Sequence, residues 1–256
     1  MHGLGNDFIV IENMNNRIEL LPEHIALLCD RHVGIGADGL ILIEPSTAAD
    51  CFMNYYNQNG EEAEMCGNGI RCTARFLKEG ILKSKNEFEI ETRIGVKRVS
   101  LTKENNFSVN MGKPLFESKD FPDDSKEIEG KKFGFVSMGN PHAVCFVSDL
   151  EKENIKDIGP KVENSTLFPN KINVELVEEK SKNKFKMKVW ERGCGETLAC
   201  GTGACAVYAR ALRDKGAEKN VEIELPGGIL FMTENNDGSI IMSGPASTVY
   251  TGVIEI

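Results

Sequence analysis

The sequence predicts an α/β (α+β) protein built from two domains of like architecture. Three observations lead to this prediction: strand-like segments dominate, helical segments are few, and several motifs recur at one spacing. A chain of 256 residues, 41% of them hydrophobic, is long enough for two domains of ordinary size, each with its own apolar core.

Strand segments are recognised by alternating apolar and polar residues or by a high density of β-branched residues. In Phe185–Val189 the apolar residues alternate with lysines, which is typical of a strand with one solvated face. In chain order, strands are predicted over Phe8–Ile11, Leu40–Ile43, Phe52–Tyr56, Phe88–Thr92, Arg98–Leu101, Phe107–Met111, Phe133–Ser137, Ala143–Val147, Val174–Val177, Phe185–Val189, Val221–Leu225, Ile229–Met232, Ser239–Met242 and Val249–Ile254.

Three helices are predicted between these strands. Pro22 suits a first helical turn, and an apolar stripe follows it before Gly34. Two further helices follow the Gly-rich turns at 67–69 and 201–203, and should end before Gly80 and Gly216. The acidic stretch Asp120–Glu129 is expected to be a solvated segment between the domains.

An internal repeat relates the two halves of the chain. Gly5-Asn6 recurs 134 residues later as Gly139-Asn140, and Cys66-Gly67-Asn68-Gly69 recurs at the same spacing as Cys200-Gly201-Thr202-Gly203. The segment Leu101–Pro114 also resembles Phe231–Pro245. We therefore expect two similar halves related by a pseudo-twofold axis, with the last strand returning to complete the first domain.

Composition excludes several classes of function. The formal net charge of −9 argues against a nucleic-acid partner, which would need a basic face. The sequence contains no apolar run long enough to span a membrane and no recognisable secretory signal, so a cytoplasmic protein is expected. Eight cysteines are too dilute for a disulfide scaffold, and their spacing fits no zinc site.

The duplicated cysteines are the candidate chemical groups. Each comes immediately before a Gly-x-Gly turn that opens a helix, where unpaired N–H groups and a partial positive charge stabilise a thiolate or a carboxylate. Such a thiol should have a lowered pKa. If the halves face each other, Cys66 and Cys200 flank one carbon from opposite sides, as inversion of a stereocentre requires. The other six cysteines are expected to be buried structural thiols.

The chain resembles the diaminopimelate epimerase family over essentially its whole length. The resemblance rests on HGLGNDF (2–8), RHVGIGADG (31–39), CGNGIRC (66–72), MGNPH (138–142), ERGCGETLACGTGACA (191–206) and ELPGG (224–228). It implies an isomerase that interconverts LL- and meso-2,6-diaminopimelate without pyridoxal phosphate, metal or other cofactor, in the synthesis of lysine and peptidoglycan precursors. It also implies a homodimer.

The resemblance assigns roles to individual residues. Cys66 and Cys200 would transfer protons, one on each face of the α-carbon. His142 and Glu191 would set the protonation of the thiols, Arg192 would pair with the distal carboxylate, and Tyr250 would lie at the dimer interface. The implied substrate contacts are Asn6, Asn57, Gly67, Asn68, Asn140, Asn173, Glu191, Arg192, Gly201 and Thr202.

The implied fold has two lobes, each a curved and mostly antiparallel sheet or barrel around a central helix. One lobe would comprise residues 1–112 with 246–256, the other residues 113–245, and the active site would lie in the cleft between them. The sequence departs from the family in two places: a short leading strand before HGLGNDF is missing, and Gly39 stands where some members have a substrate-contacting glutamine. Cys194 is given no role.

Other interpretations remain open from the sequence. Another racemase or isomerase of the superfamily, acting on proline or hydroxyproline, would share the thiols but would not need Asn57, Asn173 and Arg192. A redox protein would instead cycle a Cys66–Cys200 bond. Residues 34–39 formally fit a dinucleotide fingerprint, but a helix precedes them and a strand follows, so they are interpreted as a connecting turn.

Overall fold

The computed structural model describes residues 1–254, which divide into two compact units. Unit 1 comprises Met1–Asn110 together with the segment that begins at Gly244, and unit 2 comprises Met111–Ser243. No helix among the described residues is long and apolar enough to cross a membrane. Each unit combines a large sheet with few helices.

Unit 1 is a mostly antiparallel sheet in the order β1-β2-β3-β4-β5-β6-β7, in which β2–β3 and β4–β5 are the parallel pairs. Its second helix packs against β1 to β6, so the sheet curves around it. The elements are β1 (His2–Gly3), β2 (Asn6–Glu12), α1 (Pro22–Cys29), β3 (Gly39–Glu44), β4 (Cys51–Asn57), α2 (Gly67–Glu79), β5 (Glu87–Thr92), β6 (Gly95–Leu101) and β7 (Phe107–Gly112).

Unit 2 repeats this plan. Its sheet runs β8-β9-β10-β11-β12-β14-β15-β16, with β10–β11 and β12–β14 parallel and β13 added to β12. The elements are β8 (Ser125–Ile128), β9 (Lys131–Ser137), β10 (Pro141–Val147), a 3₁₀ turn (Leu150–Lys152), α3 (Ile155–Glu163), β11 (Asn173–Ser181), β12 (Lys184–Glu191), β13 (Gly195–Thr197), α4 (Gly201–Lys215), β14 (Val221–Leu225), β15 (Gly228–Glu234) and β16 (Ile240–Gly244).

Helix α4 is buried on nearly all sides over residues 201–211. Its alanines, glycines and Cys205 keep the helix narrow, so that β9, β10, β11, β14 and β15 can all approach it. It ends at Gly216, whose φ of 61° places it in the left-handed region, as predicted. The prediction of a central helix within each sheet is thereby confirmed.

The strand registers show the repeat in three dimensions. Phe8 pairs with Gly39 in unit 1, and His142 pairs with Asn173 in unit 2, so both partners are displaced by 134 residues. Gly5 and Gly139 occupy equivalent turns with φ of 85° and 97°, a conformation that favours glycine. The two halves therefore share one architecture, as the sequence predicts.

Several predicted elements need correction. The predicted strand Val249–Ile254 is wrong, because these residues, all of them described, form no strand. The C-terminal segment pairs with the sheet earlier in the chain, through a single bridge between Ser247 and His2. Helix α1 ends at Cys29, earlier than Gly34 suggests. Residues 34–38 do form a connecting turn.

The acidic stretch Asp120–Glu129 is largely solvated, as predicted, but it belongs to unit 2 and is not a segment between the domains. It contains β8, which pairs with β9, and Phe121 is buried in the core of unit 2. The sequence analysis also missed β1, β13 and α3. Gly159 and Pro160 discourage a helical prediction for α3, but Gly159 lets the helix lie directly on the Trp190 ring, from which an added methyl group would be only 2.6 Å away.

Candidate active site

Cys66 is the residue that begins α2. Its backbone is extended, and its carbonyl accepts the first helical hydrogen bond from Ile70 N–H at 2.9 Å. A methyl group built on Gly69 would lie 3.0 Å from the Met53 side chain and 3.1 Å from that of Ile41, so glycine allows this turn to lie close to the sheet. The thiol thus stands at the helix N-terminus that the sequence predicts.

Asn6 connects the first motif of the chain to this turn. Its Oδ1 accepts hydrogen bonds from Asn68 Nδ2 at 3.1 Å and from the Cys66 thiol at 3.6 Å, while its Nδ2 donates to Asp38 at 2.8 Å. Asp38 is held in turn by Arg31, which also binds Asp7. The orientation of the Asn6 amide beside the thiol is therefore fixed by side chains from two other motifs.

A buried arginine, which the sequence analysis did not identify, supports the same turn. Arg71 is fully buried and donates to the Gly67 carbonyl and to Asn68 Oδ1, both at 2.9 Å. Its Nε donates to the carbonyl of Pro245 at 3.2 Å, which joins the returning C-terminal segment to α2. A charged residue inside a helical segment gives no sign of such burial in the sequence.

The remaining predicted residues of unit 1 lie at its surface. Asn57 ends β4, is exposed, and accepts a hydrogen bond from the Tyr55 hydroxyl at 3.3 Å. Tyr250 is 64% exposed. Gly39 pairs with Asn57, and a methyl group built on it would lie 2.6 Å from the Tyr56 carbonyl and 2.8 Å from the Tyr55 ring. In this backbone geometry, a glutamine at position 39 would therefore clash with the neighbouring strand.

In unit 2, Cys200 begins α4 in the same way. Its sulfur accepts a hydrogen bond from Gly203 N–H at 3.3 Å and lies 3.4 Å from the Thr202 hydroxyl. Asn140, the repeat equivalent of Asn6, donates to the Thr202 hydroxyl at 3.3 Å. Asn6 and Asn140 thus hold equivalent positions beside equivalent cysteines.

The expectation of a lowered thiol pKa is wrong for Cys200. Burial raises the pKa of this thiol well above its usual range, and the carboxyl groups of Glu191 and Glu175 raise it further. The hydrogen bonds from Thr202 and from Gly203 N–H lower it, but they do not compensate. Removal from water thus outweighs the field of the helix N-terminus at this site.

His142 is fully buried beside this turn, and both of its ring nitrogens are engaged. Nδ1 lies 2.6 Å from Glu175 Oε1, and Nε2 lies 3.1 Å from Asn140 Oδ1. Glu175, also fully buried, is a residue that the sequence analysis missed. In the sequence, Glu175 looks like an ordinary polar residue of an alternating strand, so nothing in the pattern indicates that it is buried.

The end of β12 and the turn after it carry Glu191, expected to set the protonation of the thiols, and Arg192, expected to pair with the distal carboxylate. Glu191 accepts a hydrogen bond from Thr197, and the backbone N–H of Arg192 donates to Asn173 Oδ1 at 2.9 Å. Asn173 also donates to the Pro141 carbonyl at 2.9 Å, which ties this turn to the strand of His142. The exposed Arg192 guanidinium donates to the Asn170 carbonyl at 3.1 Å.

Glu163 is a third residue that sequence reasoning missed. Its carboxylate accepts hydrogen bonds from Trp190 Nε1 at 2.7 Å and from Gly193 N–H at 2.9 Å, and Lys171 lies 3.4 Å away. Although burial opposes ionisation, these partners lower the pKa of Glu163. The hydrogen bonds of this buried carboxylate therefore stabilise the turn that carries Arg192.

The other six cysteines are mostly structural, as predicted. Burial raises the pKa of Cys51 and of Cys72 to about 12, so both remain thiols near neutrality. Cys29, Cys145 and Cys205 are also buried, but Cys194 is exposed, which corrects the expectation of burial for that residue.

Comparison with known proteins agrees with this architecture. The family model described as diaminopimelate epimerase matches residues 1–117 and 134–249. A diaminopimelate epimerase of Carboxydothermus hydrogenoformans is 44% identical, covering 98% of this chain and 97% of its own, and one of Acetivibrio thermocellus is 42% identical, covering 100% and 97%.

Structural comparison extends the fold to more distant proteins. A phenazine biosynthesis protein of the PhzF family from Bacillus anthracis has a TM-score of 0.69 at 18% sequence identity, covering 95% of this chain and 91% of its own. At that identity the likeness shows a common fold alone. The full-length matches at more than 40% identity show more, and this chain belongs to the diaminopimelate epimerase family, a family of isomerases.

Proposed function

We propose that this protein interconverts LL- and meso-2,6-diaminopimelate, with Cys66 and Cys200 as the two proton-transfer groups. The observation that carries the proposal is the duplicated thiol site: each unit holds a cysteine at the start of a buried helix, with an equivalent asparagine (Asn6 or Asn140) beside it. The full-length similarity to diaminopimelate epimerases supports the choice of substrate.

In the proposed reaction, one cysteine is a thiolate and the other a thiol. The thiolate removes the α-proton from one face of the substrate, and the electron pair of the broken C–H bond is delocalised toward the adjacent carboxylate. The opposite thiol then donates its proton to the other face, so that the two sulfurs exchange protonation states. This scheme requires both sulfurs to reach one α-carbon.

The helix N-termini provide the electrostatic part of the proposal. Backbone N–H groups at Gly67 and Asn68, and at Gly201 and Thr202, would bind the reacting carboxylate and stabilise the charge that develops on it. Since the protein carries a net charge of −9, these local donors must overcome a field that repels a dicarboxylate.

The raised pKa of Cys200 suggests a starting state for this cycle. The burial and the two carboxyl groups that raise the pKa of Cys200 favour its protonated form. In the direction of the reaction that starts from this state, Cys200 would donate the proton and Cys66 would be the base. His142 and Glu191 would influence the protonation of the thiols.

The distal end of the substrate would be held by Arg192, Asn57 and Asn173. The planar guanidinium fork of arginine suits a carboxylate, whereas lysine offers a point charge. We expect Arg192→Lys to raise KM and to lower kcat/KM about tenfold or more, while kcat falls less. Steady-state kinetics in both directions measure this, and an unchanged KM would remove Arg192 from the substrate site.

The two-thiol scheme is tested by single substitutions. We expect Cys66→Ala and Cys200→Ala each to abolish epimerisation, as followed by chiral separation of the LL- and meso-forms. Cys194→Ala, an exposed cysteine without an assigned role, is the matched control and should retain activity. Near-full turnover by either Cys66→Ala or Cys200→Ala would contradict the scheme.

Exchange of the α-hydrogen tests the substrate class. In deuterated solvent, LL-diaminopimelate should acquire deuterium at the α-carbon as it is epimerised, whereas proline should not. Exchange into proline instead would favour a racemase of cyclic amino acids. Activity that is lost under strongly reducing conditions would favour a redox cycle, because the epimerase needs both thiols reduced.

A homodimer belongs to the same proposal, with Tyr250 at its interface. Val249 and Tyr250 are each 64% exposed and Val253 fully so, which gives the C-terminal segment an apolar surface. Light scattering on a sizing column should show a dimer for the wild type and a shift toward monomer for Tyr250→Ala. An unchanged dimer would place the interface elsewhere.

A further inference from the structure

A buried carboxyl group lies directly behind the Cys200 turn. Glu175 Oε1 is 2.6 Å from His142 Nδ1, whereas Oε2 is buried and meets no hydrogen-bond donor among residues 1–254. A buried carboxylate with an unpaired oxygen is costly. The contact of 2.6 Å places one proton between Glu175 Oε1 and His142 Nδ1, so the two members of the pair share that proton, and burial raises the pKa of Glu175.

The equivalent position in unit 1 holds no such pair. The strand registers align Glu175 with Ile41 and His142 with Phe8. A methyl group built on Gly203 would lie 2.8 Å from Glu175 Oε1, and one built on Gly69 would lie 3.1 Å from the Ile41 side chain. Beneath otherwise equivalent thiol turns, unit 2 therefore places an acid where unit 1 places a hydrocarbon.

A continuous chain of hydrogen bonds joins this pair to the sulfur. His142 Nε2 lies 3.1 Å from Asn140 Oδ1, Asn140 Nδ2 donates to the Thr202 hydroxyl oxygen at 3.3 Å, and that oxygen lies 3.4 Å from Cys200 Sγ. Because the Asn140 oxygen faces Nε2, this nitrogen must carry a proton. Because Thr202 accepts from Asn140, its own hydrogen is left to donate to the sulfur.

We propose that Glu175 is a positioning residue that couples the protonation of Cys200 to the proton shared with His142. While the pair holds its proton, every link donates toward the sulfur and supports a thiolate. When the pair releases one proton to solvent, the proton that stays lies between Nδ1 and Glu175 and Nε2 becomes an acceptor, so the Asn140 amide turns to donate to it. The Asn140 oxygen then accepts from Thr202, whose oxygen accepts from the thiol.

The coupling makes the two thiol turns chemically unequal. Besides the pair and the thiol themselves, the charged group that acts on both is Glu191 of β12. This inference rests on the proposed function only in assigning Cys200 to catalysis. The coupling itself concerns the thiol and can be measured without turnover.

The test compares Glu175→Gln with wild type by the pH dependence of thiol alkylation. Iodoacetamide reacts with the thiolate, and peptide mass spectrometry gives separate rates for Cys200 and Cys66 in the same sample. We expect the Cys200 profile of wild type to be broader than a one-proton curve. In Glu175→Gln it should become a one-proton curve with its midpoint lowered by about one pH unit, because the carboxyl group that raises the Cys200 pKa is removed, and the alkylation rate at neutral pH should rise about tenfold.

Matched controls separate this effect from general damage. Cys66 should react within about twofold of its wild-type rate, since the residue of its own unit that aligns with Glu175 is the apolar Ile41. Glu178→Gln removes a carboxylate from the same strand, but one that binds Lys180 and Leu150 N–H, and should leave the Cys200 profile unchanged. An unchanged Cys200 profile in Glu175→Gln, or an equal shift at Cys66, would overturn the proposal.

Thr202→Val tests the chain itself, because it removes the hydroxyl while keeping the shape of the side chain. It should reduce the Cys200 profile to a one-proton curve, as Glu175→Gln does, and the double variant should give a one-proton curve as well, whereas a profile that stays broad in Thr202→Val would exclude this route. If Glu175→Gln does not fold, Thr202→Val alone decides the outcome. Absence of epimerase activity in wild type would refute the proposed function and leave the alkylation result intact.

Discussion

Replacement of Arg71 by methionine should cost unit 1 much of its stability. The guanidinium is fully buried, and its acceptors include the Gly67 carbonyl, Asn68 Oδ1 and the Pro245 carbonyl. Methionine fills a similar volume but leaves those buried acceptors without their donor. Desolvation of the charge offsets part of the gain in wild type, so we expect a net loss of about 3–5 kcal/mol.

Arg98→Met is the matched control, because it makes the same change in charge on an exposed side chain. Arg98 is 68% exposed and pairs with Glu89 at the surface, an interaction that contributes less than about 1 kcal/mol. Chemical denaturation of both variants, followed by circular dichroism, gives the two free energies of unfolding. We expect the midpoint in urea to fall clearly for Arg71→Met and to stay near that of wild type for Arg98→Met.

Activity gives a second measurement on the same variant. Because Arg71 holds the first turn of α2, kcat of folded Arg71→Met should fall, while the residues of unit 2 that we propose for the distal end of the substrate are untouched. A loss of stability below about 1.5 kcal/mol would show that its hydrogen bonds contribute no more than ordinary neutral ones. That result would refute the assignment of Arg71 as the residue that stabilises this turn.

Two further predictions concern positions where side-chain volume or charge is tightly constrained. Gly39→Gln should destabilise the protein by about 2 kcal/mol, because its Cβ would meet Tyr56 and Tyr55 at under 3 Å, and a thermal midpoint equal to that of wild type would contradict this. Glu163 has a lowered pKa in the folded state. It therefore contributes stability above its unfolded pKa of about 4.3, and this stability is lost as pH falls through its pKa in the folded protein. The difference in thermal midpoint between wild type and Glu163→Gln should therefore be largest above about pH 5 and should shrink at lower pH; a constant difference would show that Glu163 acts by packing alone.

The architecture could largely be predicted from local pattern. Alternation located most of the strands, and the Gly-x-Gly turns located α2 and α4, because periodicity and backbone freedom are properties of short segments. Two of the failures have one cause: Val249–Ile254 has the pattern of a strand but pairs with no strand among the described residues, and β8 has a charged sequence that pairing with β9 nevertheless holds in the sheet. Strand formation depends on a partner that the segment does not encode.

The candidate site divides in the same way. The spacing of 134 residues identified Cys66, Cys200, Asn6 and Asn140 as equivalent pairs, because a duplicated motif keeps its spacing in any fold. The direction of the Cys200 pKa shift was predicted wrongly, since a helix N-terminus is visible in a sequence whereas full burial beside carboxyl groups is not.

The sequence by itself determined the duplicated plan, the family and the two thiol turns, because each depends on residues close together in the chain. Only the tertiary structure decided that Arg71 is buried among carbonyls and that Glu175 lies behind Cys200. The sequence does not distinguish a buried charged side chain from a solvated one, because the residue type is the same. What distinguishes them is the set of distant residues that removes water from around the charge and supplies its hydrogen bonds.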